Sequence, residues 1–431
     1  MQLLRAADAE RGQGQVSGAL AAAGLAAGDR VVLSLPSSGN VPVLALGALR
    51  SGVVPVVLDP GLTDHERERL LSDADPALVV TDPERLLGGP SGELADVPLA
   101  RPMHYTSGTT GRPKGVWSGL LGEDGGRALV DEEASQWGFT ADDVHLVCSP
   151  LHHSAPLRFA MGTLLAGGSV VVLPRFDVEL FATAVAELRP TTAFVVPAHL
   201  QRLFAAGSPD LSSFRLLAHA GAPCPAPLKR AALDAAPAGA LWEFYGSTEG
   251  QFTVCSPDEW LARPGTVGRA RAGRRLTADD DGTLWCEVPP HGRFTYWRDA
   301  GRTAAAWRGD AFTVGDAGRV DADGYLFLDG RRDDTIITGG VNVAPLEVEL
   351  ALAEVPGVME VAVFPRPDER WGQRVCAAFT GDADAGALLA HARTTLAPAK
   401  RPKEVHAVAA LPRTSTGKVR RATLARDLGL P

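Results

Sequence analysis

Short apolar runs alternate with helical stretches through most of the chain, and this alternation narrows the possible fold more than any other feature. Val31–Leu35 reads as a strand and Val41–Arg50 as a helix. Val53–Leu58 reads as a strand, Thr63–Asp73 as a helix capped by Thr63, and Ala77–Thr81 as a further strand. The rhythm returns at Val144–Cys148, Ser169–Leu173, Thr192–Val196 and Arg215–Ala220. Strands separated by helices in this way pair in parallel and are covered by those helices, so the expected class is α/β. From about Gly282 the pattern changes to short strands with tight turns, as in Asp321-Ala-Asp-Gly-Tyr325. Beyond the charged stretch Gly330-Arg-Arg-Asp-Asp334 the chain reads as a small α+β unit. Its expected helices are 345–354 and 385–396, and its expected strands 358–364 and 375–380. The expected division is an N-terminal domain over 1–330, a join over 331–333 and a C-terminal domain over 334–431.

Composition excludes several function classes. At 431 residues the chain exceeds one ordinary core, and 45% hydrophobic content supplies enough apolar surface for two or three. A formal charge of -9 argues against nucleic acid as a partner, because that binding depends on clustered Lys and Arg. Cys148, Cys224, Cys255, Cys286 and Cys376 are scattered and form no CxxC pair. A disulfide framework or zinc site is therefore not expected, and a reducing cytoplasm is. The first residues lack the apolar core of a secretory signal. The longest apolar stretch, 41–58, is broken by Pro42, Gly47, Arg50, Gly52 and Pro55, so it reads as a core helix and a buried strand, with no membrane span expected.

The most specific chemical signal is Tyr105-Thr-Ser-Gly-Thr-Thr-Gly-Arg-Pro-Lys-Gly-Val116. Small residues let backbone approach a ligand closely, and hydroxyls with free N–H groups can surround phosphate oxygens. Thr106, Ser107, Gly108, Thr109, Thr110 and Gly111 supply these groups, and Lys114 adds a mobile positive charge. The spacing is not that of a GxxxxGK[ST] loop.

This segment resembles the phosphate-loop signature of the adenylate-forming superfamily, which comprises acyl- and aryl-CoA synthetases, peptide-synthetase adenylation domains and luciferases. Further segments resemble that family in order: Tyr245-Gly-Ser-Thr-Glu-Gly250, Val314-Gly-Asp316, 330–340, and Pro412-Arg-Thr-Ser-Thr-Gly-Lys-Val-Arg420. The resemblance implies a large N-terminal domain of parallel sheets with a β-rich subdomain and a small mobile C-terminal domain. It also implies ATP, Mg²⁺ and coenzyme A as reactants and cofactors. A carboxylate oxygen attacks the α-phosphorus of ATP, pyrophosphate leaves, and the acyl group passes to a thiol.

Each segment then acquires an expected role. Glu249 would hold Mg²⁺, a hard cation that takes carboxylate and phosphate oxygens, with Thr109 beside it. Thr248 would donate to the α-phosphate, with Gly246 and Ser247 lining the nucleotide. Tyr245 offers adenine an aromatic face, and Gly221, Ala222 and Pro223 are also expected at the nucleotide. Asp316 would accept from the ribose hydroxyls, reinforced by Arg331. Val314 replaces the usual threonine. Lys418 would bridge the acid and the α-phosphate as the catalytic lysine, Asp333 would be the hinge, and Gly339 and Gly340 would line the channel for the thiol arm. Taken alone, each of these residues reads as a turn or a solvated charge; their order along one chain gives them weight.

The acid pocket is expected from His152, His153, Val196, His219 and Gly221, with His152 or His153 facing the acid or gating access to it and His152 counted among the catalytic residues with Lys418, Thr248 and Glu249. No fixed charge is legible there, which favours an apolar or aromatic monocarboxylic acid. Ile337 stands where carrier-protein-dependent relatives often have lysine, which favours CoA over an acyl carrier protein. The region before Gly28 and the segment between Thr81 and Tyr105 are shorter than usual for the family, so a compacted N-terminal subdomain is expected. A degenerate nucleotide-binding module without catalysis is the alternative from another class.

Overall fold

The computed structural model describes residues 3–106, 114–413 and 419–430. Two parallel sheets form the centre of the large N-terminal part. The strands Val54–Val57, Arg30–Leu33 and Leu78–Val80 make a three-stranded parallel sheet in that order. Ser169–Val172, Val144–Val147, Thr192–Val195, Leu216–His219 and Leu241–Gly246 make a second, also parallel, with antiparallel strands added at both edges. These strands read as continuous apolar runs because helices cover both of their faces.

The two sheets share one core. The helix Asn40–Arg50 buries every residue from Val41 to Leu49, and with Ala6–Ala22 and Ser154–Leu165 it fills the space between the sheets. Ala6–Ala22 approaches its neighbour closely through small residues: a Cβ on Gly47 would lie 2.7 Å from Val16 Cβ. The helices Val178–Leu188, Pro197–Ala205 and Ala226–Ala235 cover the outer face of the second sheet. Asp64–Ala74 starts at a full capping box, in which Thr63 accepts from the Glu66 N–H and the Glu66 side chain accepts from Thr63.

Short antiparallel strands follow from Arg275, as the sequence pattern implies. The turn at 321–325 links Asp316–Val320 to Leu326–Arg331, with Tyr325 N–H donating to the Asp321 carboxylate and Gly324 at φ 84°. A turn of Arg332–Asp334 leads into the final α+β unit, whose sheet is built on the long hairpin Val358–Asp368/Gly372–Gly381. This unit has its own core around Val348, Val363, Val375, Phe379 and Leu388. No helix among the described residues is long and apolar enough to cross a membrane.

A buried ion pair ties the second sheet to an outer helix. Lys229, on the helix Ala226–Ala235, donates to the Glu243 carboxylate on Leu241–Gly246, and its ammonium lies 5.1 Å from the centre of the Trp260 ring. Removing one member of a buried pair leaves an uncompensated charge, so Lys229→Met is expected to lower stability by about 3–5 kcal/mol. Adding Glu243→Leu should restore part of that loss, which urea unfolding of the single and double variants measures.

Candidate active site

The phosphate-loop signature begins and ends on paired strands. His104–Thr106 and Lys114–Trp117 run antiparallel, with Thr106 opposite Lys114. The expected site residues Ser107, Gly108, Thr109, Thr110 and Gly111 lie outside the described residues, as does Lys418. A third strand, Thr295–Tyr296, pairs with Lys114–Trp117 and puts Tyr296 against Val116. Lys114 therefore sits over the Tyr296 ring, with Nζ 4.4 Å from the ring centre.

Glu249 meets the same two residues from the other direction. It follows the strand Leu241–Gly246 in a tight turn, in which Ser247 N–H donates to Gly250 O at 2.8 Å. Lys114 Nζ lies 2.7 Å from Glu249 Oε1, and the Tyr296 hydroxyl donates to that oxygen at 2.9 Å. Glu249 is 3% exposed. Burial pushes its pKa up, but Lys114 and the Ser247 and Tyr296 hydroxyls outweigh burial and hold it below the usual range. Arg101 Nη1 donates to the Glu249 carbonyl at 3.3 Å from behind, and burial lowers the pKa of that guanidinium to about 10.

Tyr245 stands on the same segment, four residues before Glu249. Its ring stacks on Phe252 with centres 4.8 Å apart, and its hydroxyl donates to Asp316. Asp316 Oδ1 lies 3.3 Å from Arg331 Nε, because these residues face each other across the strand pair Asp316–Val320/Leu326–Arg331. The parallel register places His219 opposite Glu243, so the exposed turn of Gly221, Ala222 and Pro223 emerges beside the strand that carries Tyr245. Gly246, Ser247 and Thr248 are half-buried between the two clusters. The segment 245–249 thus touches the Lys114 ammonium at one end and the Asp316 carboxylate, paired with Arg331, at the other.

The residues expected at the acid pocket divide. Val196 packs near Gly221, where a Cβ would lie 3.6 Å from Val196 Cγ1. His153 is the N-cap residue of Ser154–Leu165, with its ring 4.3 Å from that of His152. His152 turns toward Asp59, with Nδ1 4.0 Å from Oδ1, and its carbonyl meets His104 Nδ1 at 3.1 Å. Burial, partly offset by Asp59, lowers the His152 pKa. His219 does not join this wall. Side chains alternate along a strand, and His219 shares the face of Glu243 and Lys229, while Ala218 and Ala220 face the Phe194 and Phe244 rings. Fully buried beside the Lys229 charge, His219 has a pKa well below the ordinary value.

Of the other expected residues, Asp333 lies exposed in the turn Arg332–Asp334. Neighbouring Arg332 pairs with Asp281 at 2.5 Å, and Asp334 lies 3.2 Å from Arg421 Nε. Gly339 and Gly340 form the two-residue tip of the hairpin Ile336–Thr338/Val341–Val343, at φ 56° and 80°. Two consecutive positive φ values select glycine, and a Cβ on Gly339 would also lie 2.7 Å from the Trp371 ring. Tyr296 and Arg101 escape sequence reading, since strand pairing alone brings them to Glu249.

Two enclosed histidines near the site carry a pH signature. Burial lowers both His104 and His145 from 6.5 to about 3. Between these values the unfolded chain binds protons that the folded chain excludes, so stability falls as pH falls. The urea midpoint is expected to drop between pH 6.5 and 5, above the range where most carboxylates titrate. A midpoint that stays flat over that interval would contradict the assignment.

The AMP-binding enzyme family matches residues 7–102 and 100–290, and the AMP-binding enzyme C-terminal domain matches 347–418. The chain is 33% identical to feruloyl-CoA synthase of an Amycolatopsis species, over 98% of this chain and 94% of that one. It is 31% identical to the long-chain-fatty-acid–CoA ligase FadD13 of Mycobacterium tuberculosis, over 94% of this chain and 89% of the relative. ATP-bound MatB from Rhodopseudomonas palustris has the same fold with TM-score 0.84, at 30% identity over 98% of this chain and 93% of that one. The chain belongs to the adenylate-forming family of AMP-binding enzymes, close to its acyl- and aryl-CoA synthetases.

Proposed function

We propose that the protein joins a carboxylic acid to AMP from ATP, releasing pyrophosphate, and then transfers the acyl group to the thiol of coenzyme A. The observation that carries this reading is the segment 245–249, which contacts Lys114 through Glu249 and Asp316 through Tyr245. A nucleotide lying along it would place adenine between Tyr245 and the 221–223 turn, ribose at Asp316 and Arg331, and phosphates at Thr248 and Lys114.

Mg²⁺ fits this donor set. Glu249 is a single buried carboxylate, and among the described residues no group of three or more His, Cys, Asp and Glu is placed to cage a metal. Magnesium is commonly held by one or two carboxylates together with substrate phosphates. Bound there, the ion would supply positive charge to the phosphate oxygens. Lys114 already neutralises Glu249, so it is positioned to exchange that carboxylate for a phosphate when ATP and metal arrive. Tyr296 would keep Glu249 oriented during the exchange. Lys418 would bring a second positive charge to the attacking carboxylate and the α-phosphate, where charge gathers in the transition state.

The acid would enter along Val196, Ala220 and the start of the helix Ser154–Leu165, against an aromatic floor. Trp137, Phe159, Phe194 and Phe244 pack there with neighbouring ring centres 5.0–6.1 Å apart. This floor favours a compact, apolar or aromatic body. The relatives activate acids of different kinds, so the acid is read from this chain's own pocket. Rotation of residues 334–431 about 331–333 would then bring Gly339 and Gly340 forward for the thiol.

Exchange of labelled pyrophosphate into ATP across aliphatic, aromatic and dicarboxylic acids tests the reading, followed by CoA addition. Acid-dependent label in ATP, and acyl-CoA on adding CoA, are the expected results. Exchange without acyl-CoA would point to a carrier protein as acceptor. No exchange with any acid would leave only a nucleotide-binding role.

A further inference from the structure

The helix Ser154–Leu165 carries a charge that the first half-reaction does not use. Ala155, Arg158, Phe159 and Gly162 share one helical face, and that face looks onto the aromatic floor. The Arg158 guanidinium lies 5.5 Å from the centre of the Phe244 ring. Its Nε is 3.4 Å from Glu133 Oε2, on the facing helix Gly122–Trp137.

Glu133 is already heavily engaged. Arg271 Nη1 donates to it at 2.9 Å and Trp137 Nε1 at 3.2 Å. Neighbouring Glu132 takes Arg274 at 2.7 Å, Arg271 at 3.2 Å and His291 at 2.7 Å. Three arginines thus share two glutamates, a formal surplus of one positive charge. Arg158 is the least engaged of the three: its Nε and Nη2 are buried and make no hydrogen bond among the described residues. Arg271 and Arg274 each donate to a glutamate through Nη1, though Arg271 Nε and Nη2 and Arg274 Nε are also left without one. The Arg158 side chain as a whole is 24% exposed, although Nη2 itself is enclosed. An apolar side chain would fill this place against the rings with no desolvation cost, whereas a guanidinium with an unmade bond carries one.

Resting on the proposed acid activation, we infer that Arg158 is a specificity-determining residue that receives an oxygen acceptor, best a second carboxylate, at the far end of the acid. The body of the acid would lie along Val196 and Ala220, above the enclosed rings of Phe159, Phe194 and Phe244, with the reacting carboxylate toward the nucleotide. The guanidinium presents planar paired donors that match a carboxylate. The substrate class is therefore a compact acid with a terminal acceptor, in place of a plain hydrocarbon acid.

The test uses matched acids in pyrophosphate exchange: hexanoic against hexanedioic acid, and 3-phenylpropanoic against 4-(2-carboxyethyl)benzoic acid. The wild type should favour the acceptor-bearing member of at least one pair by about 30-fold or more in kcat/KM, the scale of a buried polar group left unpaired. Arg158→Met should bring that ratio to within about threefold, and Arg158→Lys should retain an intermediate preference, with KM for ATP unchanged in both. A purely structural arginine would lower rates for both members alike and keep the ratio. Wild-type ratios near one in both pairs would overturn the inference without any variant. Failure of every acid to support exchange would instead remove the activation reading beneath it.

Discussion

Glu249→Gln is expected to cut acid-dependent pyrophosphate exchange by about 10²- to 10³-fold, the scale seen when one preorganised electrostatic group is removed from a reaction centre. Shape is nearly preserved and the amide oxygen can still accept, while the charge is lost and the second oxygen becomes an NH₂ donor. In the wild type the buried carboxylate is held ionised by Lys114 at 2.7 Å and by the Tyr296 hydroxyl at 2.9 Å. An amide there gives a magnesium ion much weaker anchorage and leaves Lys114 without its counter-charge. The apparent Mg²⁺ requirement should therefore rise together with the loss of rate. A variant with the wild-type Mg²⁺ titration would show that Glu249 serves only the local packing. Tyr296→Phe should produce a much smaller loss, since it removes one hydrogen bond to Glu249 and no charge.

Lys418→Ala should separate the two half-reactions. Adenylation is expected to fall by about 10²- to 10³-fold, because a positive charge at the meeting point of two anions is lost. Thioester formation from supplied acyl-adenylate should stay within about threefold of wild type, since no second anion then approaches the phosphate. The residues that flank this lysine are held in place: Arg413 and Val419 form an antiparallel bridge, and Arg420 N–H donates to Pro412 O at 2.9 Å. Arg421 adds pairs with Asp334 and Glu349, so the tail is tied to the start of the final α+β unit. Equal loss in both half-reactions would contradict the role given to Lys418.

The parallel sheets were legible because strands covered on both faces are apolar without interruption, as in Val54–Val57 and Thr192–Val195. The helix Asp64–Ala74 was legible through its cap, despite an almost entirely polar sequence. The helix Ala6–Ala22 was not, because it packs through Ala9, Gly12 and Gly14 and shows little apolar stripe. In the candidate site, Glu249, Tyr245, Asp316 and Arg331 could be named from ordered motifs. The contacts made by Glu249 could not, since Tyr296 and Lys114, 182 residues apart, are brought to it only through strand pairing. His219 was read onto the wrong side because motif position carries no information about which face of a strand a side chain takes. Arg158 was missed for a related reason: a single arginine in an apolar helix gives no sign of how many carboxylates await it.

The two-step account is tested most directly by single-turnover rapid quench with labelled acid, ATP and Mg²⁺, first without and then with coenzyme A. Acyl-AMP should accumulate to about one equivalent per enzyme in the absence of CoA and pass into acyl-CoA, with release of AMP, once CoA is added. Formation of ADP, or of acyl-CoA with no acyl-AMP preceding it, would contradict the account.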